Sequence, residues 1–492
     1  MKLNSLLFGA ALLLAGCAAE QAADINPVLS IEGGQVKGLV LDSTNVIVYR
    51  GIPYAAAPVG ELRWKRPQPV TPWDTVMIAD TFSDGATQRI RNPKDGQYGE
   101  EFHWKNDDPN YSEDCLYLNV WTPVGAPASD KKLPVAMWVH GGAFASGFGH
   151  EMQFDGVAWA QRDVILVTIN YRLNSFGFFS HPELSAEDPD GVSGNQGLFD
   201  QIAALKWVKN NIAQFGGDPD NITVFGQSAG GASIRNLCAS PLSKDMIAKA
   251  IIQSGGGLKD MISTGSDVLT QADYDSVGVQ KATAAGYMTL ADLRAAPGDT
   301  LYKKFNAGWG GGRPAGGQRP AAGARPAQRP AAAPAAPQRP RPVGMGPHLD
   351  GVSLTKGFEQ ATYDGTLADV PYMIGYTADD MGDMSQNILD FAAVRDSLSS
   401  QPTYCYKFDR KLPNDGRPCL QGAFHSSELW FVFDTLDRSW RPWTEGDHQL
   451  AKEMVDAWTN FCKYGNPNGQ ADGAWKASTK AAPYMHMLQV KE

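Results

Sequence analysis

The sequence predicts an α/β protein: a mostly parallel central sheet flanked by helices. Two observations carry this expectation. Strand-like apolar runs alternate with segments of helical periodicity, the pattern of strands joined by crossover helices. The strand-like runs are also continuously apolar rather than alternating, as expected where both faces of a sheet are covered.

Taken in chain order, "LPVAMWV" (133–139) and "VILVTI" (164–169) read as buried strands. Residues 198–212 read as a helix, with Leu198, Ile202, Leu205, Val208 and Ile212 on one face. The "GGDP" that follows stops it. "NITVF" (221–225) is the next strand and "AIIQ" (250–253) another, with "VPYMI" (370–374) strand-like further on. Between the strand at 221–225 and the small-residue stretch after it lies Gly226-Gln227-Ser228-Ala229-Gly230. A Gly-x-Ser-x-Gly pentad is weak evidence alone, because a serine in a glycine turn has the same spelling. Its position between a strand and a helix is what a nucleophile elbow requires, and Cβ atoms at 226 and 230 would obstruct so tight a turn.

Composition bounds the rest. The 492 residues are 43 % hydrophobic and 20 % charged, suiting a soluble globular protein with a large core. A net charge of −10 argues against nucleic-acid binding, which usually leaves a basic footprint. At the N-terminus, Lys2 precedes the apolar "LLFGAALLLAG", which is too short to span a bilayer. The "LLAGC" ending at Cys17 resembles a bacterial lipobox. Residues 1–16 are therefore expected to be a lipoprotein-type signal peptide, and 17–27 a tether lipidated at Cys17. The product would be an exported lipoprotein held to a membrane of the cell envelope, on the periplasmic side or at the surface. An ordinary signal peptide cut a few residues later is the competing reading.

Five cysteines remain in the body (115, 238, 405, 419, 462), and Cys405 and Cys419 could close a loop across "KFDRKLPNDGRP". No spacing resembles a metal site, so no metal is expected. Residues 307–347 break the globular pattern: Ala, Gly, Pro and Arg dominate, and all six arginines (313, 319, 325, 329, 339, 341) precede a proline. This insertion reads as disordered, partly polyproline II, and cationic.

A serine hydroxyl needs a base to take its proton, a third group to orient that base, and backbone donors for the developing oxyanion. A glycine-rich loop, "WVHGGAFASG" (138–147), follows the strand at 133–139 and can supply such donors. Here the chain resembles the type B carboxylesterases and cholinesterases of the α/β-hydrolase fold. The resemblance spans about 28–488 and rests on "YRGIPYAAAPVGELRW" (49–64), "SEDCLYLNVWTP" (112–123), "NYRLNSFGFF" (170–179), "GNQGLFDQIAALKWV" (194–208), "FGGDPDNITVFGQSAGG" (215–231) and "NFCKYGNPN" (460–468).

The resemblance implies a serine carboxylesterase working through an acyl-enzyme, without a cofactor, on small-molecule or carbohydrate-linked esters. It makes Ser228 the nucleophile and Gly142, Ala143 and Ala229 the oxyanion-hole donors. His425, in "GAFHSSELWFVF" (422–433), becomes the base. The acid falls in "GYTADDMG" (375–382), where Asp380 takes the place of the family's Glu and Met381 that of its Gly; Asp379 and then Asp383 are rivals. Gln227 replaces the usual Glu before the serine, which argues against a preference for cationic substrates. The resemblance also leaves Cys115 without its usual partner. An inactive adhesion relative, or a lipase or peptidase with the same triad, are the competing functions.

Overall fold

In a computed structural model, the structure describes residues 25–89, 91–94, 96–105, 108–259, 270–305, 346–417 and 419–490. The expected signal peptide, Cys17, nearly all of the tether and most of the 307–347 insertion lie outside these residues.

The central sheet has ten strands: β1 Leu39–Leu41, β2 Val46–Pro53, β3 Tyr117–Pro123, β4 Leu133–Val139, β5 Ile165–Ile169, β6 Gly217–Gln227, β7 Lys249–Gln253, β8 Tyr372–Thr377, β9 Thr403–Phe408 and β10 His486–Leu488. Their spatial order is β10-β9-β8-β7-β6-β4-β5-β3-β2-β1. From β5 to β10 every neighbouring pair is parallel. From β5 through β1 the pairing is antiparallel. The expected α/β-hydrolase architecture is thus observed, with an antiparallel edge.

The continuous apolar strands have a physical cause. Successive side chains on a strand point to opposite faces. In β4, Val135, Met137 and Val139 enter a core on one face, while Ala136 and Trp138 enter a second core on the other. Val224 and Phe225 of β6 divide the same way. Helix α1, Gln196–Asn211, covers the first face through Leu198, Ile202, Leu205 and Val208. On the second, helix α4, Glu445–Tyr464, packs Leu450, Met454, Val455, Trp458 and Phe461. Each large side chain buried this way contributes about 1.5–3 kcal/mol.

Two sequence expectations need adjusting. Strand β6 begins at Gly217, not near 221, because Gly217 already pairs with Leu133; the register then shifts before Ile222. Cys405 and Cys419 are not bridged. Cys405 is buried in β9 with its thiol toward Ser478, whereas Cys419 lies against Arg441. Cys115 is likewise a free, buried thiol.

Candidate active site

The site forms at the C-terminal ends of the parallel strands, where loops after β4, β6, β8 and β9 converge. Strand β6 ends at Gln227, and Ser228 turns the chain into helix α2, Ala229–Ala239. Ser228 has φ 60° and ψ −123°, a sparsely populated conformation for a residue with a side chain. The turn survives because its surroundings fix it. The Ser228 N–H donates to the Gln253 carbonyl at 2.9 Å, tying it to β7. A Cβ on Gly226 would lie 2.6 Å from the Val139 carbonyl oxygen, and one on Gly230 would collide with that same oxygen. The sequence requirement for glycine at both positions is therefore a requirement of β4 passing alongside.

The histidine arrives on the loop after β9. His425 Nε2 lies 2.8 Å from Ser228 Oγ, and Nδ1 lies 2.7 Å from Asp380 Oδ1. A carboxylate only accepts, so Nδ1 carries the proton and Nε2 is free to accept from the hydroxyl. The Asp380 side chain is fully buried, and its Oδ2 accepts from the Thr377 hydroxyl at 2.9 Å. The N–H of Met381 donates to Oδ1 at 2.7 Å. Burial alone would raise this carboxyl, but the hydrogen bond and charge of His425, with Ser254 and the Met381 N–H, outweigh it and hold it below the ordinary range. Asp380 is thereby kept ionised beside the imidazole.

Both rival carboxylates have other work. Asp379 accepts from the Ala423 N–H at 2.9 Å through Oδ2, while its own N–H donates to the Ala423 carbonyl at 2.9 Å. It is a strut binding the acid loop to the histidine loop, and a Cβ on Gly422 would collide with it. Asp383 accepts from the Tyr376 hydroxyl at 2.7 Å and from the Ser385 N–H at 2.9 Å, at the start of helix α3, Ser385–Leu398. The Ser385 hydroxyl, the Tyr376 hydroxyl and the Ser385 N–H hold its carboxyl down to about 2.

The glycine-rich loop abuts Ser228: a Cβ on Gly141 would sit 3.1 Å from that of Ser228. Gly142, Ala143 and Phe144 all have positive φ, at 104°, 57° and 59°. Ala229 opens helix α2, so its N–H has no carbonyl one turn behind it.

Around Ser228, His425 and Asp380, Tyr98 and Glu428 carry no signal in a single sequence, whereas Gln227 stands out by the resemblance. The Tyr98 hydroxyl donates to the His425 carbonyl at 2.9 Å. Gln227 is buried; its Oε1 accepts from the Ser426 hydroxyl at 3.1 Å and its Nε2 lies 3.4 Å from His425 Nε2. Glu428 is wholly buried, and desolvation pushes its carboxyl up to about 7 against the pull of its own backbone N–H and His425. Among the described residues, no group of three His, Cys, Asp or Glu side chains could hold a metal ion, and no helix is long and apolar enough to cross a membrane.

Comparison with known proteins gives one answer. The sequence profile described as "Carboxylesterase family" matches residues 25–397 and 386–492. A para-nitrobenzyl esterase of Bacillus subtilis is 34 % identical, over 90 % of this chain and 91 % of that protein. A fumonisin B1 esterase of Sphingopyxis macrogoltabida is 35 % identical, over 93 % and 85 %. Among solved structures, a PNB esterase superposes with a TM-score of 0.75 at 30 % identity, covering 94 % of this chain and 96 % of that one.

Proposed function

Because the chain belongs to the carboxylesterase family and is a carboxylic ester hydrolase, we propose that Ser228, His425 and Asp380 carry its chemistry. The observation that supports this reading is His425 standing within hydrogen-bond reach of both Ser228 Oγ and Asp380 Oδ1. Ser228 Oγ attacks the ester carbonyl carbon while His425 Nε2 takes the hydroxyl proton, and Asp380 stabilises the imidazolium. The carbonyl oxygen becomes an oxyanion held by the N–H groups of Gly142, Ala143 and Ala229. As the intermediate collapses, the C–O bond to the alcohol breaks and His425 returns its proton to the departing oxygen. Water then repeats the sequence on the acyl-serine, releasing the acid and restoring the Ser228 hydroxyl.

Gln227 puts a neutral amide rather than a carboxylate beside the histidine, which supports neutral esters over cationic ones. Relatives named for para-nitrobenzyl and fumonisin B1 esters support a range of organic esters, and carbohydrate-linked esters belong to the same proposal. Ser228→Ala should lower p-nitrophenyl acetate turnover by about 10⁶-fold with an unchanged melting temperature. Full retained turnover overturns the assignment. A panel varying acid and alcohol separately tests the substrate class, and a clear preference for choline esters contradicts it.

The proposal extends to location: an exported lipoprotein tethered through Cys17, supported by the lipobox-like "LLAGC". Mass spectrometry of the mature N-terminus should find a lipidated Cys17; an unmodified residue after position 17 refutes the tether.

A further inference from the structure

Each oxyanion-hole N–H assigned above belongs to a peptide unit whose carbonyl oxygen points the other way. What that carbonyl accepts affects what the N–H can donate, because hydrogen bonds along one amide polarise each other. The Gly142 carbonyl, in the same peptide unit as the Ala143 N–H, accepts three hydrogen bonds. The N–H of Ala145 donates at 3.0 Å, that of Ser146 at 3.1 Å, and the Ser146 hydroxyl at 3.1 Å. Ser146 Oγ itself accepts from Nη2 of Arg91, a half-buried guanidinium on the segment running beside the loop. Gln88 pins that segment in place, donating to the Gly147 carbonyl at 2.9 Å and accepting from its N–H at 2.8 Å.

We propose that Arg91 is a positioning residue for ester hydrolysis: through the Ser146 hydroxyl it polarises the Gly142–Ala143 peptide and strengthens the Ala143 N–H as an oxyanion donor. The inference rests on the assignment of Ala143 to the oxyanion hole. A guanidinium is permanently charged, and charge-assisted hydrogen bonds are about twice as strong as neutral ones. The same bonds hold Ala143 at its positive φ, a conformation it would otherwise leave. The neighbouring donor has a weaker version of this arrangement. His140 Nδ1 donates to the Gly141 carbonyl at 2.8 Å, behind the Gly142 N–H. Burial pushes that imidazole down to about 4, so it donates as a neutral ring. One loop donor is therefore backed by a cation and the other by a neutral side chain.

The test uses the full-length protein and the variants Arg91→Met, Arg91→Lys, Ser146→Ala and the double variant Arg91→Met with Ser146→Ala. Arg91→Met and Ser146→Ala should each lower kcat on p-nitrophenyl acetate about tenfold with KM within about twofold. That is smaller than the loss of roughly 100-fold or more for deleting a donor outright. The double variant should be no worse than the weaker single. Binding of a phenylboronic acid, which forms a tetrahedral adduct with the serine, should weaken by the same factor as kcat falls, and Arg91→Lys should recover part of it. The infrared carbonyl stretch of a slowly hydrolysed acyl-enzyme should move to higher frequency. If Arg91→Met lowers the melting temperature, Arg91→Gln, which keeps a donor without the charge, replaces it. Wild-type kcat in Arg91→Met, losses that multiply in the double variant, or unchanged boronate affinity would each overturn the proposal. An inactive Ser228→Ala beside a fully active Arg91→Met rejects only this inference, whereas an active Ser228→Ala rejects the triad beneath it.

Discussion

Ser228 is placed by its immediate neighbours: two glycines, one strand end and the Val139 carbonyl of the adjacent strand. Asp380 and His425 sit on separate loops and meet because Asp379 fastens one loop to Ala423 on the other. The Ser228 side is fixed by backbone crowding, where a single methyl group is too much. The Asp380–His425 side is fixed by hydrogen bonds between side chains and loops, which can be rearranged. That contrast accounts for the fixed Gly-x-Ser-x-Gly spelling at the elbow and for the freedom of the loops to set how far a carboxylate must reach. The short Asp380 side chain reaches the imidazole because its loop is drawn in to leave 2.7 Å between them.

The comparison breaks first at the two adjacent aspartates. Asp380→Asn should lower kcat/KM by about 10⁴-fold, because an amide no longer fixes the imidazole tautomer. Asp379→Ala should cost about tenfold, through a loosened histidine loop. Equal losses would erase the distinction between orienting group and strut. Next comes the crowded side: Gly230→Ala should destabilise the fold by about 3–4 kcal/mol, since neither the strand carbonyl nor the elbow can yield. Urea unfolding measures this, and a variant as stable as the parent would show that the turn has slack.

A stability effect confined to one side of the pH range concerns Glu428, on the adaptable side. A glutamate with an ordinary value of 4.5 that titrates near 7 when folded binds its proton more tightly in the folded state. Below pH 4.5 both states are protonated and the group costs nothing extra. Between pH 4.5 and about 7 the unfolded chain releases the proton first, so stability falls as pH rises. Above that the penalty, about 3 kcal/mol, is complete. Glu428→Gln should therefore raise the melting temperature at pH 8 and leave it nearly unchanged at pH 4.5. The same shift at both pH values would assign the gain to packing instead.

The two sides were also unequally legible. The strands at 133–139 and 250–253 and the elbow between strand and helix follow from local pattern, because burial on both faces and a steric turn leave their mark within a few residues. Nothing local singles out His425 from seven other histidines, or Asp380 from Asp379. Those assignments needed the family resemblance, since the contacts joining them span 45 and 197 positions. The strut role of Asp379, the buried Glu428 and the Arg91–Ser146 contact had no periodicity or motif to announce them. The start of β6 was missed because Asp218, Pro219, Asp220 and Asn221 hide a strand whose first pairing precedes its apolar part.

The division of each central strand between two cores makes the register of β6 self-checking. Sliding it by one residue would carry Val224 and Phe225 each into the compartment shaped for the other. It would also displace the hydroxyl by about 3.3 Å and turn the strand end over. Errors in aligning the Ser228 hydroxyl are thus converted into gross misfits far from it, so the hydrophobic interior acts as the gauge that sets the position of a single oxygen atom.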